Sequence, residues 1–164
     1  MTSQPDTPTR LAFPQRSPGT GTPPSDDARS ADAKVEPARI LIVEDDYLIA
    51  MQTEAALTAA GFNVVGTATT AEEAVALAGD ERPFLVVMDI RLASRSDGID
   101  AARELFHDLG IRCIFATAHD DPITRGRAEP YAPLGWLAKP YTMSSLVVLV
   151  TEALAKLDRG GPLA

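Results

Sequence analysis

From Arg39 onward, short apolar runs alternate with amphipathic stretches. Ile40-Leu41-Ile42-Val43, Phe84-Leu85-Val86-Val87-Met88, Cys113-Ile114-Phe115-Ala116 and Leu134-Gly135-Trp136-Leu137-Ala138 are continuous runs with no polar alternation. Runs of that length and texture predict strands covered on both faces. Asn63-Val64-Val65-Gly66-Thr67 is a weaker fifth strand. The intervening stretches carry helical spacing. Leu48, Met51, Ala55 and Ala59 fall on one helical face, with Gly61 placed as a stop signal. Ala71, Ala74, Val75 and Ala78 mark a second helix, and Thr70 with Glu73 three residues on resembles a capping box. Ile99, Ala102, Phe106 and Leu109 mark a third, ended by Gly110; Leu146, Leu149, Val150, Ala153 and Leu157 mark the last. Between them, His119 to Pro133 holds Pro122, Gly126, Pro130 and Pro133. Proline lacks the amide proton and clashes with the preceding turn, so this fourth helix is expected to be short or irregular, around 122–129.

Strict strand–helix alternation with buried strands predicts an α/β fold, an open parallel sheet with helices on both faces. Right-handed crossovers and five strands fit a doubly wound, flavodoxin-like sheet of order 2-1-3-4-5. Residues 1–38 have a different texture. They hold Pro5, Pro8, Pro14, Pro18, Pro23, Pro24 and Pro37 and few large apolar side chains. Burial offsets little of the entropy of ordering such a stretch, which predicts a disordered tail. The folded domain is expected over 39–157, with a short C-terminal tail at 158–164.

Charge and cysteine use narrow the partners. The chain has 164 residues and a formal net charge of −8. An acidic balance argues against nucleic acid and against an anionic membrane surface. No apolar stretch approaches the roughly 20 residues of a bilayer span, and no signal peptide is apparent. Cys113 is the single cysteine, so an intrachain disulfide is impossible; it reads as a small buried apolar residue. The expected setting is cytoplasmic.

Chemistry gathers where such sheets bind ligands, beyond the carboxyl ends of the strands. The first strand ends in Glu44-Asp45-Asp46, the third in Asp89, the fourth in Thr117 and the fifth in Lys139-Pro140. With that strand order these groups converge. Clustered carboxylates repel and need a counter-charge. A hard divalent cation such as Mg²⁺ takes one or two carboxylates together with phosphate oxygens. Lys139 adds an ammonium and Thr117 a hydroxyl. Together they make a site for three phosphoryl oxygens around a carboxylate that can act as nucleophile. Each group alone reads as an ordinary loop, cap or surface residue; their co-occurrence at successive strand ends carries the inference.

These four motifs, Ile40 to Asp46, Val87-Met88-Asp89, Ala116-Thr117-Ala118 and Leu137-Ala138-Lys139-Pro140, resemble the response-regulator receiver family over about residues 39–157. The resemblance implies that Asp89 is the phosphoacceptor. It implies Mg²⁺ bound by Asp45 and Asp89, by Glu44 through water and by the Arg91 backbone carbonyl. Thr117 becomes the switch hydroxyl, Lys139 the phosphate-bridging lysine with a cis bond to Pro140, and Trp136 an aromatic switch residue. Arg91 and His119 fall where the family flanks the attacking water. The loop Ile90 to Gly98 is about one residue longer than the common form. Phe115-Ala116-Thr117-Ala118 resembles the strand of alphaproteobacterial single-domain regulators, and also the receiver of general-stress anti-anti-sigma regulators. The implied partners are a sensor histidine kinase and a phosphotransferase protein, with a homodimer admitted through the last helix. Ending at residue 164, the chain is expected to signal by protein contact or to serve as a phosphoryl shuttle or sink. It is not expected to be an enzyme. Two other readings stand beside this one. A Mg²⁺-dependent phosphohydrolase would need a second Asp where Arg91 stands. A phosphorylation-independent pseudo-receiver would have no need of the full acid, threonine and lysine set.

Overall fold

The computed structural model describes residues 35–118 and 120–160, and the fold lies in the unit that begins at Glu36. Its strands are β1 (Arg39–Val43), β2 (Asn63–Ala68), β3 (Leu85–Asp89), β4 (Arg112–Thr117) and β5 (Gly135–Ala138). The helices are α1 (Tyr47–Ala59), α2 (Ala71–Glu81), α3 (Gly98–Leu109), α4 (Pro122–Ala128) and α5 (Met143–Gly160), with a 3-10 turn at Glu129–Tyr131. The sheet is parallel throughout, in the order β2-β1-β3-β4-β5, as the alternation of runs predicts. The last helix continues three residues past the expected domain end at 157. Most of the expected N-terminal tail, and residues 161–164, lie outside the described residues.

Side chains of the strands point alternately to two cores. Leu41, Val43, Val86, Met88, Cys113 and Phe115 pack under α2 and α3; Ile40, Ile42, Leu85, Val87 and Ile114 pack under α1 and α5. Both cores are closed by small residues: Ala71, Ala74 and Ala78 from α2, Ala153 from α5. Cys113 is buried as expected, and burial pushes its thiol up to about 12, so it stays protonated and inert.

Three local expectations change. The α1 face expected from Leu48, Met51, Ala55 and Ala59 is exposed; Ala50, Thr53 and Leu57 face the sheet instead. Apolar residues lie all around this helix, so spacing alone admits either stripe. Phe84 stands outside β3 and is exposed, although its amide still donates to the Arg39 carbonyl. The Thr70 hydroxyl accepts from the Glu73 amide, but the Glu73 carboxylate turns to the amide and hydroxyl of Thr69, so only half of the capping box forms.

The proline-rich segment behaves as its sequence demands. Asp121 caps α4, Pro122 occupies the first turn where no amide donor is needed, and the helix stops after seven residues.

Candidate phosphoryl-transfer site

Four strand ends meet at the carboxyl edge. The adjacency of β1, β3, β4 and β5 brings Glu44, Asp89, Thr117 and Lys139 together, and all line one cleft of about 250 Å³ with Asp45 and Arg91. Asp89 is the last residue of the fully buried strand β3 and is 6% exposed; Glu44 follows β1 and is 5% exposed. Register places Asp89 beside Ala116, one residue before Thr117, and Thr117 beside Ala138, one before Lys139. The Lys139 amide donates to the Thr117 carbonyl at 2.8 Å. The Lys139–Pro140 peptide is cis, as the resemblance implies.

The ammonium of Lys139 bridges two acids. Nζ lies 3.0 Å from Glu44 Oε2 and 3.1 Å from Asp89 Oδ2. Backbone donors hold the opposite oxygens: the Asp46 amide donates to Glu44 Oε1 at 3.1 Å and the Arg91 amide to Asp89 Oδ1 at 3.3 Å. Asp46 itself caps α1, accepting from the Leu48 and Ile49 amides.

One lysine does not balance this much acid. Burial pushes the Glu44 carboxyl up to about 7, and the Asp89 charge adds to that, against the pull of the Asp46 amide and Lys139. For Lys139, burial works downward, but its bond to Glu44 and the charge of Asp89 outweigh it and raise its pKa. Carboxylate oxygens of Glu44, Asp45 and Asp89 all come within 4.8 Å of one another. Clustered oxygen donors with a residual negative charge fit a hard divalent cation of Mg²⁺ type.

Behind the Asp89 carboxylate, the backbone of Gly98 presses on Asp89 itself. A Cβ there would lie 2.0 Å from the Asp89 carbonyl oxygen, and the Gly98 amide donates to Ile90 at 2.7 Å. Asp97 caps α3 in a reciprocal box with Asp100. The long loop from Ile90 therefore closes onto Asp89 through a position where only glycine fits. Sequence reasoning passed over Gly98; the Asp-Gly pair before a helix was the available signal.

Trp136 stacks on Phe115, its register partner on β4, at 4.8 Å between ring centroids. The Arg125 guanidinium covers its ring from α4, 4.9 Å from the centroid. Arg91 lines the cleft. His119 lies outside the described residues. No helix among the described residues is long and apolar enough to cross a membrane.

Known proteins share this fold. The response regulator receiver domain model matches residues 40–151, and the chain belongs to that family, the receivers of two-component systems. It is 39% identical over 116 residues to the phyllosphere-induced regulator PhyR of Methylorubrum extorquens, covering 70% of this chain and 43% of PhyR. It is 36% identical over 126 residues to the transcriptional regulatory protein PdtaR of Mycobacterium tuberculosis, covering 77% of this chain and 60% of PdtaR. Among solved structures, the signal receiver domain of a modulated diguanylate cyclase from Desulfovibrio desulfuricans G20 superposes with a TM-score of 0.70 at 34% identity, covering 76% of this chain and 98% of that one. The chain thus spans about half the length of the curated relatives it matches.

Proposed function

We propose that this receiver takes a phosphoryl group from the phosphohistidine of a sensor histidine kinase, or of a phosphotransferase protein, onto Asp89. The single observation that carries the reading is the Lys139 ammonium held between Glu44 and Asp89 at 3.0 and 3.1 Å. A carboxylate oxygen of Asp89 attacks phosphorus, the P–N bond to the imidazole breaks, and an acyl phosphate forms. Glu44, Asp45 and Asp89, with the Arg91 carbonyl, would hold Mg²⁺, which supplies positive charge to the transferring phosphoryl oxygens. Lys139 and the Thr117 hydroxyl take the remaining oxygens. Burial at the ends of β1 and β3 holds Glu44 and Asp89 in place, so the nucleophile needs little reorganisation before attack.

The donor has to reach the mouth of this cleft. A neighbouring apolar groove of about 380 Å³ shares Ile49 and Lys139 with it and continues over Pro140, Tyr141 and Met143. Exposed Tyr47, Leu48 and Met51 on α1 extend the apolar surface. This is the surface on which a donor protein docks. Once phosphorylated, the receiver acts through Thr117, Trp136 and contacts with other proteins, in the cytoplasm, as an output switch, a shuttle or a sink.

The test is a phosphotransfer profile against the source organism's histidine kinases with Mg²⁺ present. Label should pass from one or a few kinases to the wild-type chain and not to Asp89→Ala. Equal labelling of Asp89→Ala refutes the assignment.

A further inference from the structure

We infer that Asp120 and Arg125 form a latch over Trp136 that holds the β4–β5 side of the site in its present arrangement and opposes phosphorylation of Asp89. The inference rests on the phosphoacceptor reading above and adds a regulatory contact to it.

Three observations carry it. First, Arg125 is gripped through two donors along one edge: Nε and Nη2 bond the two carboxylate oxygens of Asp120, the second at 2.9 Å. A two-point fork fixes the guanidinium plane as one contact would not. Second, that guanidinium lies over Trp136, whose ring also stacks with buried Phe115. The indole is therefore held by two contacts, one to a core ring and one to a cation. Third, both ends of the latch are tied to the groups that meet the phosphoryl oxygens. Asp120 follows Thr117 by three residues on the loop leaving β4, and Trp136 precedes Lys139 by three on β5.

The direction of the effect follows from the geometry at Asp89. Lys139 now touches its carboxylate directly, and a phosphoryl group has to come between them. Lys139 and Thr117 must then readjust about the new anion. Movement of Thr117 draws on the loop that carries Asp120; movement of Lys139 draws on the strand that carries Trp136. Arg125 joins those two segments, so the latch has to yield for the readjustment to proceed. Any contact present only in the resting arrangement weakens binding to the other one by its own differential strength. An exposed ion pair and a cation–ring contact are each modest, which predicts a shift of about 3- to 10-fold.

Trp136 is the single tryptophan, so its fluorescence reports the latch directly. Mg²⁺ with beryllium fluoride serves as the phosphoryl mimic. Wild type, Arg125→Ala and Asp120→Asn are titrated and Trp136 emission is followed; Asp120→Asn frees Arg125 without altering α4. Both variants should open the indole to acrylamide quenching before the mimic is added. Both should reach half-saturation at a mimic concentration lower by that factor. A normal wild-type response with unchanged half-saturation in both variants overturns the latch alone. A wild type with no saturable response, matching Asp89→Ala, overturns the phosphoacceptor reading and the latch with it.

Discussion

The two halves of the carboxyl edge are held by different forces. On the β1–β3 side, Glu44 and Asp89 are nearly sealed from solvent, each has an oxygen fixed by a backbone amide, and Gly98 lets α3 press directly on the Asp89 backbone. On the β4–β5 side Thr117 is buried, but the contacts that cover Trp136 and anchor α4 lie at the surface. Arg125 pairs with Asp120 and covers Trp136, and Arg127 reaches Asp97 at 2.8 Å with its own side chain about half exposed. Contacts of that kind are worth about 1 kcal/mol or less each. The Asp89 half is therefore set by burial; on the proposed reading, the other half is soft enough to be rearranged by one added dianion. A receiver needs both: a fixed nucleophile and a readout that a single charge can move.

The largest effect should come from disturbing the fixed half. Gly98→Val drives a side chain into the Asp89 carbonyl, a backbone atom that cannot step aside. We expect a loss of at least about 3 kcal/mol in urea denaturation, together with loss of phosphorylation.

Next comes the buried face of α1. Leu57→Ala removes a side chain with no exposure and should cost about 2–5 kcal/mol. Leu48→Ala, on the stripe that spacing favours, should stay within about 0.5 kcal/mol. Equal losses in the two variants would mean the helix is rotated relative to its described orientation.

The third prediction concerns pH. Glu44 ionises near its ordinary 4.5 in the unfolded chain and near 7 in the folded one. Between those values the folded protein holds the extra proton. Its contribution to stability is fully present below 4.5, falls as pH rises through the window, and is gone above about 7. Urea midpoints at about pH 5 and about pH 8, without divalent cation, should thus show a decline of about 2 kcal/mol that Glu44→Gln removes. Mg²⁺ should act in the opposite sense, binding more tightly as pH rises through the same window, because its ligand must be ionised.

The smallest effect is expected on the soft half. Arg125→Ala should change folding stability by no more than about 1 kcal/mol. A loss as large as that of Leu57→Ala would place Arg125 among the structural contacts and erase the contrast between the two halves.

Much of this was legible before any coordinates. Strands buried on both faces leave continuous apolar runs, so β1, β3 and β4 and their terminal Glu44, Asp89 and Thr117 stand out. Strand order then brings Lys139 to them. What was not legible has physical causes. Apolar residues fall on every side of α1, and tertiary packing chose Ala50, Thr53 and Leu57 over the more hydrophobic stripe. The requirement for glycine at 98 depends on how closely α3 approaches β3. Arg125 over Trp136 joins residues eleven apart across a turn whose path no local pattern dictates.

The central claim, that Asp89 is the phosphoacceptor, is tested most directly by intact-mass spectrometry after incubation with Mg²⁺ and a small-molecule phosphodonor such as acetyl phosphate. The wild-type chain should gain one phosphoryl group, lost in Asp89→Ala and released by hydroxylamine as an acyl phosphate should be. A phosphoryl group that persists in Asp89→Ala, or that resists hydroxylamine, would contradict it.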